Sequence, residues 1–162
     1  MFSKTLNEEM NTQIKLELYS AYLYLSMSAH FEAVNLGGFA HWMRLQAGEE
    51  QGHAMKFFDY IQERNGKIAL QAIDQPPVEF TTPIAIFEQV LKHEESVTGR
   101  INHLYELALK DNDYASQVFL QWFITEQVEE EKNASDILAT LKIIGEKSNA
   151  IFQLDHRLEK RE

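Results

Sequence analysis

Apolar residues recur alternately three and four positions apart along most of the chain, the spacing that keeps one face of an α-helix apolar. The first stripe passes Leu6, Met10, Gln13, Glu17, Ala21, Tyr24, Ser28 and Phe31. The second passes Phe39, Met43, Gln46, Glu50, His53, Phe57 and Tyr60. A third passes Phe87, Leu91, Glu94, Val97, Ile101, Leu104 and Ala108; a fourth passes Phe119, Phe123, Glu126, Glu130, Ala134, Ile137, Leu141 and Ile144. These stripes predict helices over residues 5–34, 39–65, 83–110 and 114–144, followed by a short fifth over 148–160. The punctuation agrees. "NLGG" separates the first two helices, and Gly66 stands where a C-terminal cap is expected. Thr82 and Pro83 suit the cap and first position of the third, "DND" is a turn, and Gly145 ends the fourth. No segment alternates as a half-buried strand does, and neither repeats nor low-complexity runs occur.

The connections set the topology. Short breaks between helices one and two, and between three and four, imply antiparallel pairs. Between helices two and three lie residues 66–83, a longer connection than compact domains usually carry. A 27-residue helix is roughly 40 Å long at about 1.5 Å per residue. An extended segment of this length reaches about 60 Å, enough to return the chain along a whole bundle. The expectation is an all-α, single-domain chain over 1–162, a four-helix bundle with one long crossover plus a short fifth C-terminal helix.

Each long stripe is interrupted near its middle by an acid. In a bundle of similar-length helices the middles meet at one height, so Glu17, Glu50, Glu94 and Glu130 converge, with His53 one turn from Glu50. Burying ionised carboxylates without partners costs several kcal/mol or more, and together they repel one another. A cation removes both penalties. Carboxylates with one imidazole suit iron, manganese or zinc. Glu50 and His53 in "EQGH" match the Glu-x-x-His arrangement of carboxylate di-metal bundles. The other histidines, His30, His41, His93, His103 and His156, follow no stripe and read as surface or interface residues. Glu95, Glu131 and Glu146 read as a solvated face.

Charge and composition narrow the partners. The net charge is -10, which offers no basic patch to nucleic acid and instead attracts cations. There is no Cys, which excludes disulfide scaffolds, zinc-thiolate sites and iron-sulfur clusters. No signal peptide and no membrane-spanning run is visible, so the cytoplasm is the expected location. "LELYSAYLYLSMSAHF" is apolar on most sides of the first helix, which points to a large subunit interface.

Taken together, "LELYSAYLYLSMS", "HWMRLQAGEEQGHAMKFFDYI", "DQPPVEF", "HEESVTGRI" and "FLQWFITEQVEEEK" resemble a non-haem ferritin of the bacterial or archaeal type along essentially the whole chain. The resemblance implies a hollow homo-oligomeric shell of twenty-four subunits that oxidises Fe(II) with O2 or H2O2 and stores it as ferric mineral. It implies one iron held by Glu17, Glu50 and His53, and a second held by Glu50, Glu94 and Glu130 with Gln127 beside it. It further implies a third iron site from Glu49, Glu126, Glu129 and Glu130, and Tyr24 as an electron donor beside the di-iron centre. No haem is expected, because Glu130 and Gly52 stand where haem-binding relatives carry His and Met. Gln117 and Leu120 stand where animal ferritins line their threefold channels with acids. The alternative within the resemblance is a metal-storage cage without turnover.

Overall fold

The stripes fold as helices in the computed structural model, which describes residues 2–145 and 149–162. They are α1 (Lys4–Ala33), α2 (Gly37–Glu63), α3 (Pro83–Lys110), α4 (Tyr114–Ile144) and α5 (Ala150–Leu158), with no strand among the described residues. Glu146 and the start of the expected fifth helix lie outside the described residues. Three N-termini carry side-chain caps, of which the sequence suggests Thr82. Ser3 Oγ accepts from Leu6 N, Thr82 Oγ1 from Ala85 N, and Asp113 Oδ1 from Ser116 N, each satisfying an N–H the helix leaves free.

Gly145 ends α4 with φ 72° as expected, whereas α1 and α2 stop on asparagine instead of the expected glycine, and α3 ends within "DND". Asn35, Asn65 and Asn112 adopt φ of 59°, 55° and 52° and end α1, α2 and α3. Each is followed by a residue whose N–H reaches back around the last turn: Leu36 to Phe31, Gly66 to Ile61 and Asp113 to Ala108. This is the left-handed stop usually given to glycine, here filled by asparagine. Gly66 serves another purpose. A Cβ there would lie 2.8 Å from both Ile61 Cγ2 and the Phe2 ring.

The apolar core falls into two halves. One joins the end of α1 to the beginnings of α2 and α3, the end of α4, and α5, around Phe31, Phe39, Met43, Phe87 and Leu141. The other joins the beginning of α1 to the ends of α2 and α3 and the beginning of α4, around Met10, Phe57, Leu104 and Phe123. Hence α1 and α2 are antiparallel, α3 and α4 are antiparallel, and α2 and α3 run the same way. Each fully buried aromatic contributes roughly 1.5–3 kcal/mol.

The crossover makes the return trip along α1. Asn7 and Asn11 grip the backbone at Lys67 and Ala69, Lys15 meets Asp74, and Ser26 donates to the Pro77 carbonyl. At the other end α5 is seated on α2. Asp155 Oδ1 accepts from Phe39 N at 2.9 Å, supplying the cap that α2 lacks. The fit needs Gly38, where a Cβ would stand 1.8 Å from the Asp155 carbonyl oxygen.

Candidate metal centre

Between the two apolar halves lies a polar layer supplied by all four long helices. Glu17, Gln46, Glu50, His53, Glu94, Gln127 and Glu130 are buried there. On α2 the i, i+3 spacing of Glu50 and His53 puts both on one face. One ligand atom each from Glu17, Glu50 and His53 lie within 4.8 Å of one another, and so do atoms of His53, Glu126 and Glu130. His53 belongs to both groups. Its Nδ1 is 3.4 Å from Glu50 Oε2 and its Nε2 is 3.8 Å from Glu126 Oε1.

Glu94 joins neither group, and both of its carboxylate oxygens are engaged. The Tyr24 hydroxyl donates to Glu94 Oε1, and Gln127 Nε2 donates to Oε2 at 3.3 Å and to the Glu94 carbonyl at 3.2 Å. Glu130 Oε2 accepts from Gln46 Nε2. Glu17 Oε1 accepts from Gln13 Nε2 at 2.9 Å. Among the described residues, three buried side-chain oxygens, Gln13 Oε1, Glu17 Oε2 and Glu50 Oε2, have no hydrogen-bond partner when both carboxyls are ionised, and the Glu17 and Glu50 carboxyls lie close enough to share a proton.

Burial and mutual repulsion set the electrostatics of the layer. Burial, then the charge of Glu50, pushes the Glu17 carboxyl well up. Burial, then Glu94, does the same to Glu50. Glu130 is pushed up to about 7 by burial and Glu94, against the opposing Gln46 donor. Tyr24 is held well above the usual phenol range by burial and Glu94. Carboxyls shifted upward bind protons more tightly, and a divalent cation competes with those protons. Hard oxygen donors and one imidazole are the donor set such a cation takes.

The remaining expected site residues are placed less centrally. Glu126 is half-buried and reaches His53, whereas Glu129 is exposed. Glu49 is exposed and bound by Arg161 at 2.7 Å. The phase of α4 explains the difference. Its buried line runs Leu120, Phe123, Gln127 and Glu130, so Gln127 occupies the core side that the sequence stripe assigns to Glu126. On α3, likewise, Val90 is buried and Leu91 half-buried.

Three residues read as surface, interface or solvated face carry specific contacts. Glu131 is half-buried and accepts from Thr98 Oγ1. His93 is half-buried, 2.7 Å from Ser20 Oγ, with its ring edge-on to Tyr24 at 6.1 Å. Burial pushes its imidazole below the ordinary range. His41 is tied to the Arg161 carbonyl. Gln13 and Gln46 lie on the stripes yet were not assigned to the centre. The available signal was their place one turn before an acid.

The chain matches the family model described as a ferritin-like domain over residues 7–144. A bacterial non-heme ferritin of Bacteroides fragilis is 42% identical over 99% of this chain and 100% of its own length. One of Staphylococcus aureus is 36% identical over 98% of this chain and 95% of its own. An open pore ferritin from the hyperthermophilic archaeon Archaeoglobus fulgidus is 48% identical, with a TM-score of 0.97 over 99% of this chain and 98% of that one. No helix among the described residues is long and apolar enough to cross a membrane.

Proposed function

The chain belongs to the ferritin family, and from that premise we propose that it is an iron-storage ferroxidase acting as a single ferritin-like domain. Its substrates are Fe(II) and O2 or H2O2. Its product is ferric mineral held inside a hollow cytoplasmic shell of twenty-four identical subunits, without haem.

The observation that carries this reading is the pair of buried carboxylates, Glu17 and Glu50, with unpartnered oxygens facing one imidazole. A site of this kind is electrostatically incomplete until a cation enters. Two ferrous ions held close together supply two electrons to one oxidant molecule. Glu17, Glu50 and His53 hold one ion. Glu50 extends to the second, on the side of Glu94 and Glu130. Glu126, Glu129 and Glu49 form the acidic approach on the Glu130 side.

The chain's own groups do the positioning. Gln127 and Tyr24 fix Glu94, and Gln13 fixes Glu17. Tyr24 lies against Glu94, where its phenol can give one electron to the O2 or H2O2 being reduced, losing its proton as it is oxidised. Exposed Tyr22 and Leu25 on α1 and Ile73 on the crossover form an apolar patch that fits a neighbouring subunit.

The test is aerobic addition of Fe(II) with stopped-flow absorbance. Rapid oxidation is expected in the wild type, with collapse by more than the roughly hundredfold upper range for losing a residue that merely supports a metal ligand, in Glu50→Ala and His53→Ala. Oxidation at the wild-type rate in both variants rejects the centre.

A further inference from the structure

The segment after α5 comes back onto α2. His41 Nε2 lies 2.9 Å from the Arg161 carbonyl oxygen, and the Arg161 guanidinium sits 4.9 Å over the Trp42 ring. Arg161 Nη1 donates to Gln46 Oε1 at 2.7 Å and Nη2 donates to Glu49 Oε2 at 2.7 Å. Trp42, Gln46 and Glu49 are four and three residues apart, so they share one face of α2. The guanidinium spans that face in one geometry.

The consequence runs through Gln46, which is fully buried. A primary amide has an accepting end and a donating end. A guanidinium only donates, so it takes the Gln46 oxygen and leaves the Gln46 nitrogen facing Glu130, where it donates to Oε2. The flipped amide would set N–H against guanidinium and oxygen against carboxylate, two repulsive contacts in a buried place. One side chain beyond α5 therefore dictates which end of the amide Glu130 meets.

We propose that Arg161 is a positioning residue of the metal centre, fixing the Glu130 carboxylate through the Gln46 amide and so setting the divalent-cation affinity of the Glu130 side. It rests on the reading of the polar layer as a two-metal centre. It also links the seating of α5, through Asp155 and Gly38, to the second cation and not to the first. Arg161 touches neither Glu17 nor His53.

The experiment is an anaerobic Co(II) titration of the assembled protein, read by the d–d absorbance that reports coordination geometry. In Arg161→Gln, the Glu130-side ion is expected to bind roughly tenfold more weakly with an altered d–d spectrum. The ion at Glu17, Glu50 and His53 keeps its wild-type affinity. Arg161→Lys, whose ammonium engages one acceptor at a time, recovers part of the loss. Adding Arg161→Gln to Gln46→Met costs nothing further, since the two act as one unit. Wild-type affinities and spectrum in Arg161→Gln overturn the proposal. Equal weakening of both ions also overturns it, because that is the signature of a loosened fold. A wild-type protein that binds no pair of Co(II) ions per chain overturns the two-metal reading itself, and the proposal with it.

Discussion

Replacing Glu130 by glutamine removes one buried charge and keeps the oxygen that accepts from Gln46. In the metal-free protein this substitution is stabilising. The Glu130 carboxyl rises from 4.5 to about 7 on folding. At about 1.36 kcal/mol per pH unit, its ionisation opposes folding by roughly 3 kcal/mol. The sign follows from proton linkage. Between the two values the folded chain binds the extra proton, so this contribution is favourable to folding at low pH and is lost as pH rises through 7. Glu130→Gln is therefore indistinguishable from wild type near pH 4.5 and more stable by roughly 3 kcal/mol above pH 7. For a chain of this size that is a thermal midpoint roughly 6–12 °C higher. Differential scanning calorimetry in chelator, at one scan rate and two pH values, reads it. Saturating Co(II) reverses the order, because the wild type gains binding energy that the variant lacks on that side. An equal difference at both pH values, or a less stable variant above pH 7, refutes the view that a strained carboxylate waits for a cation.

Two further predictions concern the frame around the centre. Asp113 is tilted upward by burial, but the Arg64 hydrogen bond and the Ser116 N–H outweigh it and hold the carboxyl below its usual range. Its contribution is present above the unfolded value and is lost as pH falls through the folded one. Asp113→Ala removes both the 2.8 Å ion pair and the α4 cap, and is expected to cost about 1–3 kcal/mol near neutral pH and less in acid, read by the same calorimetry. Gly38→Ala drives a Cβ into the Asp155 carbonyl. It is expected to unseat α5, making α5 itself cleavable in limited proteolysis while α1–α4 persist; wild-type resistance argues that α5 is held by other contacts.

The long helices were legible because their apolar spacing, caps and breaks agree locally. The crossover was legible because only a connection of its length returns the chain between parallel helices. Glu17, Glu50, His53, Glu94 and Glu130 stood out because acids interrupt apolar lines, and burial of all five follows from those lines. The phase of α4 was less legible. Neighbouring lines on a 31-residue helix are one residue apart, and both Phe119 and Leu120 are apolar. Packing against α3 chose Leu120 and Gln127, leaving Glu126 at the edge.

The chain alone thus determined which segments are helical, how they connect and that Glu17, Glu50, His53, Glu94 and Glu130 share the middle layer, since these depend on residues a few positions apart. The tertiary structure decided how each acid is held. Tyr24 meets Glu94, and Gln46 meets both Glu130 and Arg161, across separations of 70, 84 and 115 residues. Helical periodicity places a side chain on a face, but which end of an amide meets which partner is settled only when the helices and the segment beyond α5 are packed together.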